Sequence, residues 1–141
     1  MRTYLCGEMR TYLLSTVAAA ALLAATSARA QDATWLLNPG SGSFNTATNW
    51  NPAVVPTNTA IFDASNTTFI LFQPFTTTSV ATLQFNSGAP AYSLATSEGL
   101  FTSISITGAG IVNNSSNAAT FIVGNQANFF FAVRAPPATP P

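Results

Sequence analysis

Short runs of apolar and β-branched residues recur along this chain, and each run is followed by residues that favour turns. Within these runs, large apolar side chains alternate with small or polar ones; Ile104 and Ile106, for example, flank Ser105. A period of two places the large side chains on one face of a strand. No segment after Ala30 shows the apolar periodicity of a helix. We therefore predict an all-β fold. In chain order, the predicted strands are Ala60–Phe62, Phe69–Phe72, Val80–Phe85, Ala91–Leu94, Phe101–Thr107, Thr120–Val123 and Phe129–Val133.

The predicted strands also repeat along the chain. The step that takes Val80 to Phe101 also takes Leu83 to Ile104, so large apolar residues recur at one constant spacing. Periods of about 20–50 residues are typical of solenoids, in which each coil buries its apolar face against the next. Turn signals such as Gly108-Ala109-Gly110 separate the strands. The pattern predicts a β-helix or solenoid, and an antiparallel β-sandwich with similar strand spacing is the alternative.

The residues on either side of the repeats have a different character. Residues 31–59 are rich in turn signals such as Asn38-Pro39-Gly40, and Trp35-Leu36-Leu37 is predicted to be a short strand before them. We interpret residues 31–59 as an N-terminal cap, residues 60–133 as the β-strand repeats and residues 134–141 as a proline-rich tail.

The segment from Met1 to Ala30 has the features of a secretory signal peptide. Met9-Arg10 is followed by the apolar stretch Leu13–Ala25, and then by the small residues Ala28 and Ala30 of an A-x-A processing site. We predict a helical signal peptide over residues 1–30, cleaved before Gln31; the alternative is a short buried helix. Export to the periplasm, the cell surface or the extracellular space follows from this prediction.

The leader also carries a repeat and the only thiol of the chain. Met1-Arg2-Thr3-Tyr4-Leu5 recurs as Met9-Arg10-Thr11-Tyr12-Leu13, so we interpret Met9 as the working start. Cys6 precedes the apolar stretch and would be removed with the leader. The mature chain is then expected to be stabilised by packing and backbone pairing without disulfides.

Charged side chains are almost absent after the leader. Those that remain are Asp32, Asp63, Glu98 and Arg134, and no Lys, His or Cys follows Ala30. Without a basic patch to neutralise phosphates, nucleic-acid binding is not expected. No apolar run approaches the roughly 20 residues that span a bilayer, so we expect membrane contact only during export.

The same scarcity limits catalysis and metal binding. A glycosidase needs two carboxylates across a sugar, and the spacing of Asp32, Asp63 and Glu98 does not bring a pair together. No His, Lys or Cys is available to activate a nucleophile. Asp63 with Asn66 would supply one carboxylate to calcium, which is few for that ion. We predict a protein that is not an enzyme and has no cofactor or metal.

Trp35 and Trp50 are the best binding candidates in the sequence. Exposed indoles could stack on sugar rings, but the favoured interpretation is that both cover the apolar core of the first coil. An uncovered solenoid end would expose apolar surface and unpaired strand edges. The polar run Asn113–Asn117 is predicted to be a turn, with an asparagine ladder inside the solenoid as the alternative.

Two passages carry a resemblance to a known family. The first runs from Trp35 to Asp63 and includes Phe44-Asn45-Thr46-Ala47-Thr48-Asn49-Trp50; the second includes Leu83–Tyr92 and Gly108–Asn117. Together they resemble the N-terminal passenger region of bacterial autotransporter proteins with autotransporter-associated β-strand repeats. The resemblance implies a right-handed parallel β-helix that is exported by a Gram-negative bacterium and displayed at or beyond the outer membrane. The strands of a C-terminal barrel do not follow, so we expect a passenger fragment.

These observations lead to one main hypothesis and two alternatives. The main hypothesis is a secreted or cell-surface β-solenoid with an adhesion or scaffold role, contacting glycans or proteins of a host or matrix surface. The first alternative is a secreted carbohydrate-binding or carbohydrate-active module. The second is a truncated product without independent function, which would self-associate through an exposed strand edge beside Phe129-Phe130-Phe131.

Overall fold

A computed structural model of the chain describes residues 30–96 and 101–131. This part contains a 3-10 helix at Ala47–Asn49, no α-helix, and nine β-strands. The all-β prediction is confirmed, whereas the predicted signal peptide up to residue 29 and the predicted proline-rich tail lie outside the described residues. The strands are β1 Ala33–Trp35, β2 Trp50–Asn51, β3 Thr59–Phe62, β4 Phe69–Phe72, β5 Thr77–Phe85, β6 Ser93–Thr96, β7 Thr102–Asn113, β8 Thr120–Ile122 and β9 Ala127–Phe131.

Parallel pairing arranges the strands in three stacks. The first stack contains β1, β3, residues 82–85 of β5 and residues 110–113 of β7. The second stack contains β4, β6 and β8. The third contains residues 77–80 of β5, residues 103–106 of β7 and then β9. The chain visits the stacks in turn and forms a β-solenoid of about four turns. The solenoid prediction is confirmed, and the sandwich is excluded because β2 on β1 is the one antiparallel pair among the described strands.

The coils are longer than the repeat spacing predicted from the sequence. Ala60 pairs with Leu83, and Leu83 pairs with Ile111 and not with Ile104. Ile104 pairs instead with Thr78, in the third stack. The observed spacing between paired residues differs from the predicted one because the turns between the strands have unequal lengths. Strand pairing keeps inward-facing residues of successive coils aligned, whatever the length of the turn between them.

β7 continues through a segment that was predicted to be a turn. The pairing of β5 with β7 changes register between Val80 and Thr82, opposite the Gly108–Gly110 segment. A Cβ added at Gly108 would lie 2.8 Å from the Cβ of Ala81, and Gly110 has a φ of +87°. The glycines therefore let β7 bulge and carry the chain from the third stack into the first without ending the strand.

Aromatic side chains fill the space between the stacks. Phe62 and Phe85 occupy the same register position in successive coils, and their rings are stacked with centroids 4.8 Å apart. Tyr92 packs against both rings, at 5.2 and 5.8 Å. Such aromatic pairs add about 0.5–1.5 kcal/mol each beyond the burial of their area. The largest fully buried side chains are Trp35, Trp50, Tyr92, Phe44, Phe62, Phe72, Phe85, Ile70, Leu83, Leu94, Ile104 and Ile106.

A strand that folds back closes the N-terminal end of the solenoid. After residues 42–44 have paired with β4, the 3-10 helix reverses the chain and β2 pairs antiparallel with β1. Asn49 in this reversal is fully buried, and its amide nitrogen donates to Ser41 Oγ at 2.9 Å and to the Ser43 carbonyl at 2.8 Å. Because a buried amide needs such partners, Asn49 fixes the loop that closes this end.

We expect Phe62→Ala to destabilise the protein by about 3–5 kcal/mol, since it removes the ring on which Phe85, Tyr92 and Trp50 pack. Phe69→Ala is the matched control, because Phe69 is 53 % exposed on the outer face; its cost should stay below about 1 kcal/mol. Urea unfolding followed by circular dichroism measures both values. Equal losses would contradict the described core.

Candidate contact surface

A shallow groove lies on the outer face of the second stack. Its volume is about 440 Å³, which is within the range of about 300–1,000 Å³ of small-molecule sites. We call it the β4 groove. Its lining residues are Gly42, Ser43, Phe69, Leu71, Gln73 and Pro74.

The alternation of β4 produces the apolar wall of this groove. Ile70 and Phe72 point inward and are fully buried, whereas Phe69 is 53 % exposed and Leu71 is 37 % exposed. A strand that is apolar on both faces is typical of a sheet covered on both sides. Among the described residues, no element covers the outer face of β4 enough to bury these two side chains. The strand Phe69–Phe72 was predicted with its observed bounds, but the exposure of its outer face was not.

The opposite wall comes from a segment far away in the sequence. Leu71 N–H donates to the Gly42 carbonyl at 2.8 Å, and Phe44 N–H donates to the Leu71 carbonyl at 3.0 Å, so residues 42–44 lie beside β4. Ser43 is the register partner of Leu71. A Cβ added at Gly42 would lie 2.5 Å from the Phe69 carbonyl oxygen. Glycine is therefore required at this position for the two segments to approach.

A strained aromatic residue directly follows the rim residues Gln73 and Pro74. Phe75 has a φ of +56° and is 71 % exposed. The left-handed conformation costs a residue with a side chain about 1–2 kcal/mol, and such strain clusters at functional positions. Thr76 Oγ1 donates to the Gln73 carbonyl at 2.6 Å and holds the turn. Phe75 is thereby presented to solvent beside the β4 groove.

The chemistry of the groove is uncharged and amphipathic. Phe69 and Leu71 offer apolar contact, Gln73 offers an amide donor and acceptor, and no lining residue titrates near neutral pH. These groups suit a neutral ligand with an apolar face and hydroxyl or amide groups at its edge. They supply no general acid, base or activated nucleophile.

Trp35 and Trp50, the binding candidates of the sequence, lie inside the protein. They are 1 % and 2 % exposed, and their rings meet edge to face at 4.9 Å. Each indole N–H donates to a backbone carbonyl, that of Thr67 for Trp35 and that of Phe44 for Trp50. A sugar needs an accessible ring face on which to stack, and neither indole presents one. Their positions fit the interpretation that they cover the core of the first coil.

The carboxylates of the described part have structural partners. Asp32 Oδ1 accepts from the Thr59 N–H at 2.8 Å and from Asn58 Nδ2 at 2.7 Å, which ties the start of β1 to the start of β3. The backbone bond from Thr59, followed by the side-chain bonds, lowers the pKa of Asp32 below its ordinary value. Asp63 Oδ1 accepts from Asn86 Nδ2 at 2.8 Å.

The described residues do not assemble the other sites considered from the sequence. Asn66, the possible calcium partner of Asp63, donates through its amide to Asn38 Oδ1. Within residues 30–96 and 101–131, no three His, Cys, Asp or Glu side chains are grouped to hold a metal ion. Glu98, Ala28 and Arg134 lie outside the described residues; Ala30 and Gln31 are exposed at the start of the described part.

The polar run after β7 is a turn, as predicted. Asn113 Oδ1 accepts from the Ser115 N–H at 3.0 Å, and Asn113 Nδ2 donates to the Asn117 carbonyl at 2.8 Å. Asn117 Nδ2 reaches back to the Ala89 carbonyl in the preceding coil at 3.0 Å. The first two bonds close the turn, and the third anchors it to the preceding coil. Asn113 is the register partner of Phe85 and not of another asparagine, as an asparagine ladder would require.

Comparisons of the chain with protein-family models, with curated proteins and with solved structures find no significant match. Within the described part, no helix has the length and apolar character needed to cross a membrane.

The buried tyrosine makes stability depend on alkaline pH. Tyr92 is 1 % exposed and its hydroxyl donates to the Asp63 carbonyl at 2.6 Å. Burial raises the pKa of Tyr92 to about 12, from an ordinary value of 10.0. Folding therefore favours the neutral phenol: this stabilisation is fully present below pH 10 and is lost as the pH rises to about 12.

We expect the free energy of unfolding to fall by up to about 2–3 kcal/mol over this interval. Urea unfolding at several pH values measures the change. Tyr92→Phe is the control, because it removes the titrating group and should make the profile nearly flat over the same interval. An unchanged slope in Tyr92→Phe would assign the pH dependence to another group.

Proposed function

We propose that this protein is an exported, non-enzymatic β-solenoid with an adhesion or scaffold role, and that the β4 groove contacts glycans or proteins of a host or matrix surface. The observation that carries the proposal is the exposure of Phe69 and Leu71 on the outer face of β4, followed by the exposed Phe75 in the next turn. Exposed apolar groups that cluster beside a groove mark interaction sites in soluble proteins.

The solenoid is suited to this role because it holds the contact residues in place before a ligand arrives. Phe69 and Leu71 stand on a strand whose alternate residues, Ile70 and Phe72, are fully buried. Their backbone is paired with residues 42–44 on one side and with β6 on the other. Preorganised aromatic side chains lose little conformational entropy on binding.

A neutral partner fits the groove better than a charged one. The lining residues carry no charge, and the described chain carries only the carboxylates of Asp32 and Asp63. An apolar ring face with hydroxyl groups around its edge, as in a neutral sugar, would match Phe69 together with Gln73. The alternative of a carbohydrate-binding module is therefore a specific form of the same proposal. Its sugar-binding site would be the β4 groove and not the buried indoles of Trp35 and Trp50.

The start of the fold is consistent with the proposed export. Gln31 O accepts from the backbone N–H groups of Thr57 and Asn58 at 3.0 and 2.9 Å. Gln31 N donates to Thr57 Oγ1 at 3.0 Å. The proposed cleavage before Gln31 would leave the first residue of the mature chain bonded to the solenoid.

We expect the full chain, produced in a Gram-negative host, to be recovered outside the cytoplasm with Gln31 as its first residue. Ala30→Phe should leave an uncleaved precursor, because the processing site needs a small side chain there. Arg29→Ser, at the intervening position, is the matched control and should be cleaved normally. Intact-mass measurement of the recovered chains distinguishes these outcomes; cleavage of Ala30→Phe at the same rate as the natural sequence would contradict the proposed site.

We expect the protein to bind at least one member of a panel of immobilised neutral glycans and extracellular-matrix proteins, and Phe69→Ala and Phe75→Gly to weaken that binding at least tenfold. Phe75→Gly relieves the left-handed strain and should raise stability by about 1 kcal/mol, so its loss of binding would not reflect unfolding. Phe130→Ala removes an exposed ring (54 %) in β9 of the third stack, away from β4, and serves as the control.

The probes that bind the protein distinguish a carbohydrate-binding module from a protein adhesin. Binding confined to glycans and lost in Phe69→Ala identifies a carbohydrate-binding module. Binding confined to matrix proteins identifies a protein adhesin. Failure of the natural sequence to bind any probe, or equal binding by all three variants, would reject the β4 groove as the contact surface.

A further inference from the structure

Two exposed phenylalanines lie at equivalent positions in successive coils. Phe75 lies two residues before Thr77, Phe101 lies two residues before Ser103, and Thr77 and Ser103 are register partners in the third stack. Phe75 is 71 % exposed and Phe101 is 69 % exposed. Because each ring keeps most of its surface open to solvent, neither ring covers the other. We call this pair the aromatic corner.

Hydrogen bonds hold the backbone beside both rings. Thr76 directly follows Phe75, and Thr102 directly follows Phe101. The Gln73 carbonyl accepts from Thr76 Oγ1 at 2.6 Å and from Thr102 Oγ1 at 3.4 Å. Paired strands of successive coils lie about 4.7–4.9 Å apart, so the backbones that carry the two rings are separated by about one strand spacing. The fold therefore fixes the aromatic corner before a ligand arrives.

Two hydroxyl side chains lie next to the aromatic corner, on the outer face of the third stack. Thr77 is exposed and Ser103 is half-buried there. The hydroxyls of Thr76, Thr78 and Thr102 form hydrogen bonds within the fold, whereas those of Thr77 and Ser103 have no such partner among the described residues. These two hydroxyls can therefore donate to and accept from a bound molecule.

The combination of rings and hydroxyls matches a sugar chain. The apolar C–H face of a sugar can pack on an aromatic ring, and its hydroxyl groups can exchange hydrogen bonds with Thr77 and Ser103. One strand spacing is also close to the length of one hexose unit in an extended glycan. Proline-rich peptides dock on aromatic side chains as well. However, a proline presents a carbonyl acceptor and no donor, so it would use only part of what these hydroxyls offer.

We propose that the aromatic corner binds a linear neutral glycan, whose neighbouring sugar units pack on Phe75 and Phe101. This inference rests on the proposed contact function and makes it more specific, because the glycan extends from the β4 groove across more than one coil. Gln73 connects the two regions: it lines the groove, and its carbonyl bonds the threonines that follow both rings. The cost of association is paid once for the whole glycan, so affinity increases with the number of sugar units.

Isothermal titration calorimetry of the full chain with sugars of increasing length tests this inference. The probes are glucose, N-acetylglucosamine, mannose and galactose, each as the monosaccharide and as a linear hexasaccharide, together with an oligoproline peptide. We expect at least one hexasaccharide to bind about tenfold more tightly than its monosaccharide, which is the gain that one additional aromatic contact can provide.

Substitutions at exposed positions identify the groups that give this gain. Phe101→Ala should weaken hexasaccharide binding about tenfold and bring it close to that of the monosaccharide, whereas Phe101→Tyr keeps the ring and should retain the affinity. Thr77→Val keeps the branched shape without the hydroxyl and should weaken binding about threefold. Leu37→Ala shortens an apolar side chain that is 55 % exposed after β1, and it is the control that should bind normally. Circular dichroism of each variant verifies that the solenoid is intact.

Three results would overturn the inference. The first is equal affinity of the natural sequence for monosaccharides and hexasaccharides. The second is a Phe101→Ala variant that binds the hexasaccharide as tightly as the natural sequence. The third is binding of the oligoproline peptide or of matrix proteins only, which would identify a protein partner. Each would leave the proposed contact function intact, because Phe69→Ala tests the β4 groove separately; absence of binding to every sugar and matrix protein would reject the contact function itself.

Discussion

Parallel pairing between coils is the constraint on which the rest of this structure depends. It places each inward side chain on its equivalent in the next coil, as Phe62 is placed on Phe85. Each interior coil is therefore covered by a neighbouring coil on both sides, whereas a terminal coil has a neighbouring coil on one side. The fold must deal with both ends separately. At the N-terminal end, β2 pairs with β1, and the buried Asn49 fixes the reversal that leads to β2.

Local pattern was sufficient to predict strands, but not their alignment. Phe69–Phe72 was predicted with its observed bounds because its character is contained in consecutive residues. The predicted repeat spacing was wrong because register follows from pairing across coils, which turn lengths do not reveal. Gly108–Gly110 has the composition of a turn, yet it lies inside β7, where a close approach to Ala81 requires glycine. β6 begins at Ser93 and not at Ala91, and Tyr92 before it is buried.

The sequence predicts the candidate contact surface even less well than the strand register. Ser43 and Leu71 form one groove although they are distant in the sequence, and only their pairing brings them together. Trp35 and Trp50 were predicted to be binding candidates because of their residue type. Both are buried, and each indole N–H donates to a backbone carbonyl. The left-handed backbone of Phe75 is likewise invisible in the sequence. Its position directly after a proline was the one signal that could have indicated an exposed contact residue.

The scarcity of charge has opposite consequences for the sides and the ends of the solenoid. Along the sides, it leaves an uncharged groove suited to neutral partners, whose contact is little affected by salt. In the last described coil, residues 101–131 contain neither a charged side chain nor proline, which are the groups that usually prevent strand addition at an edge.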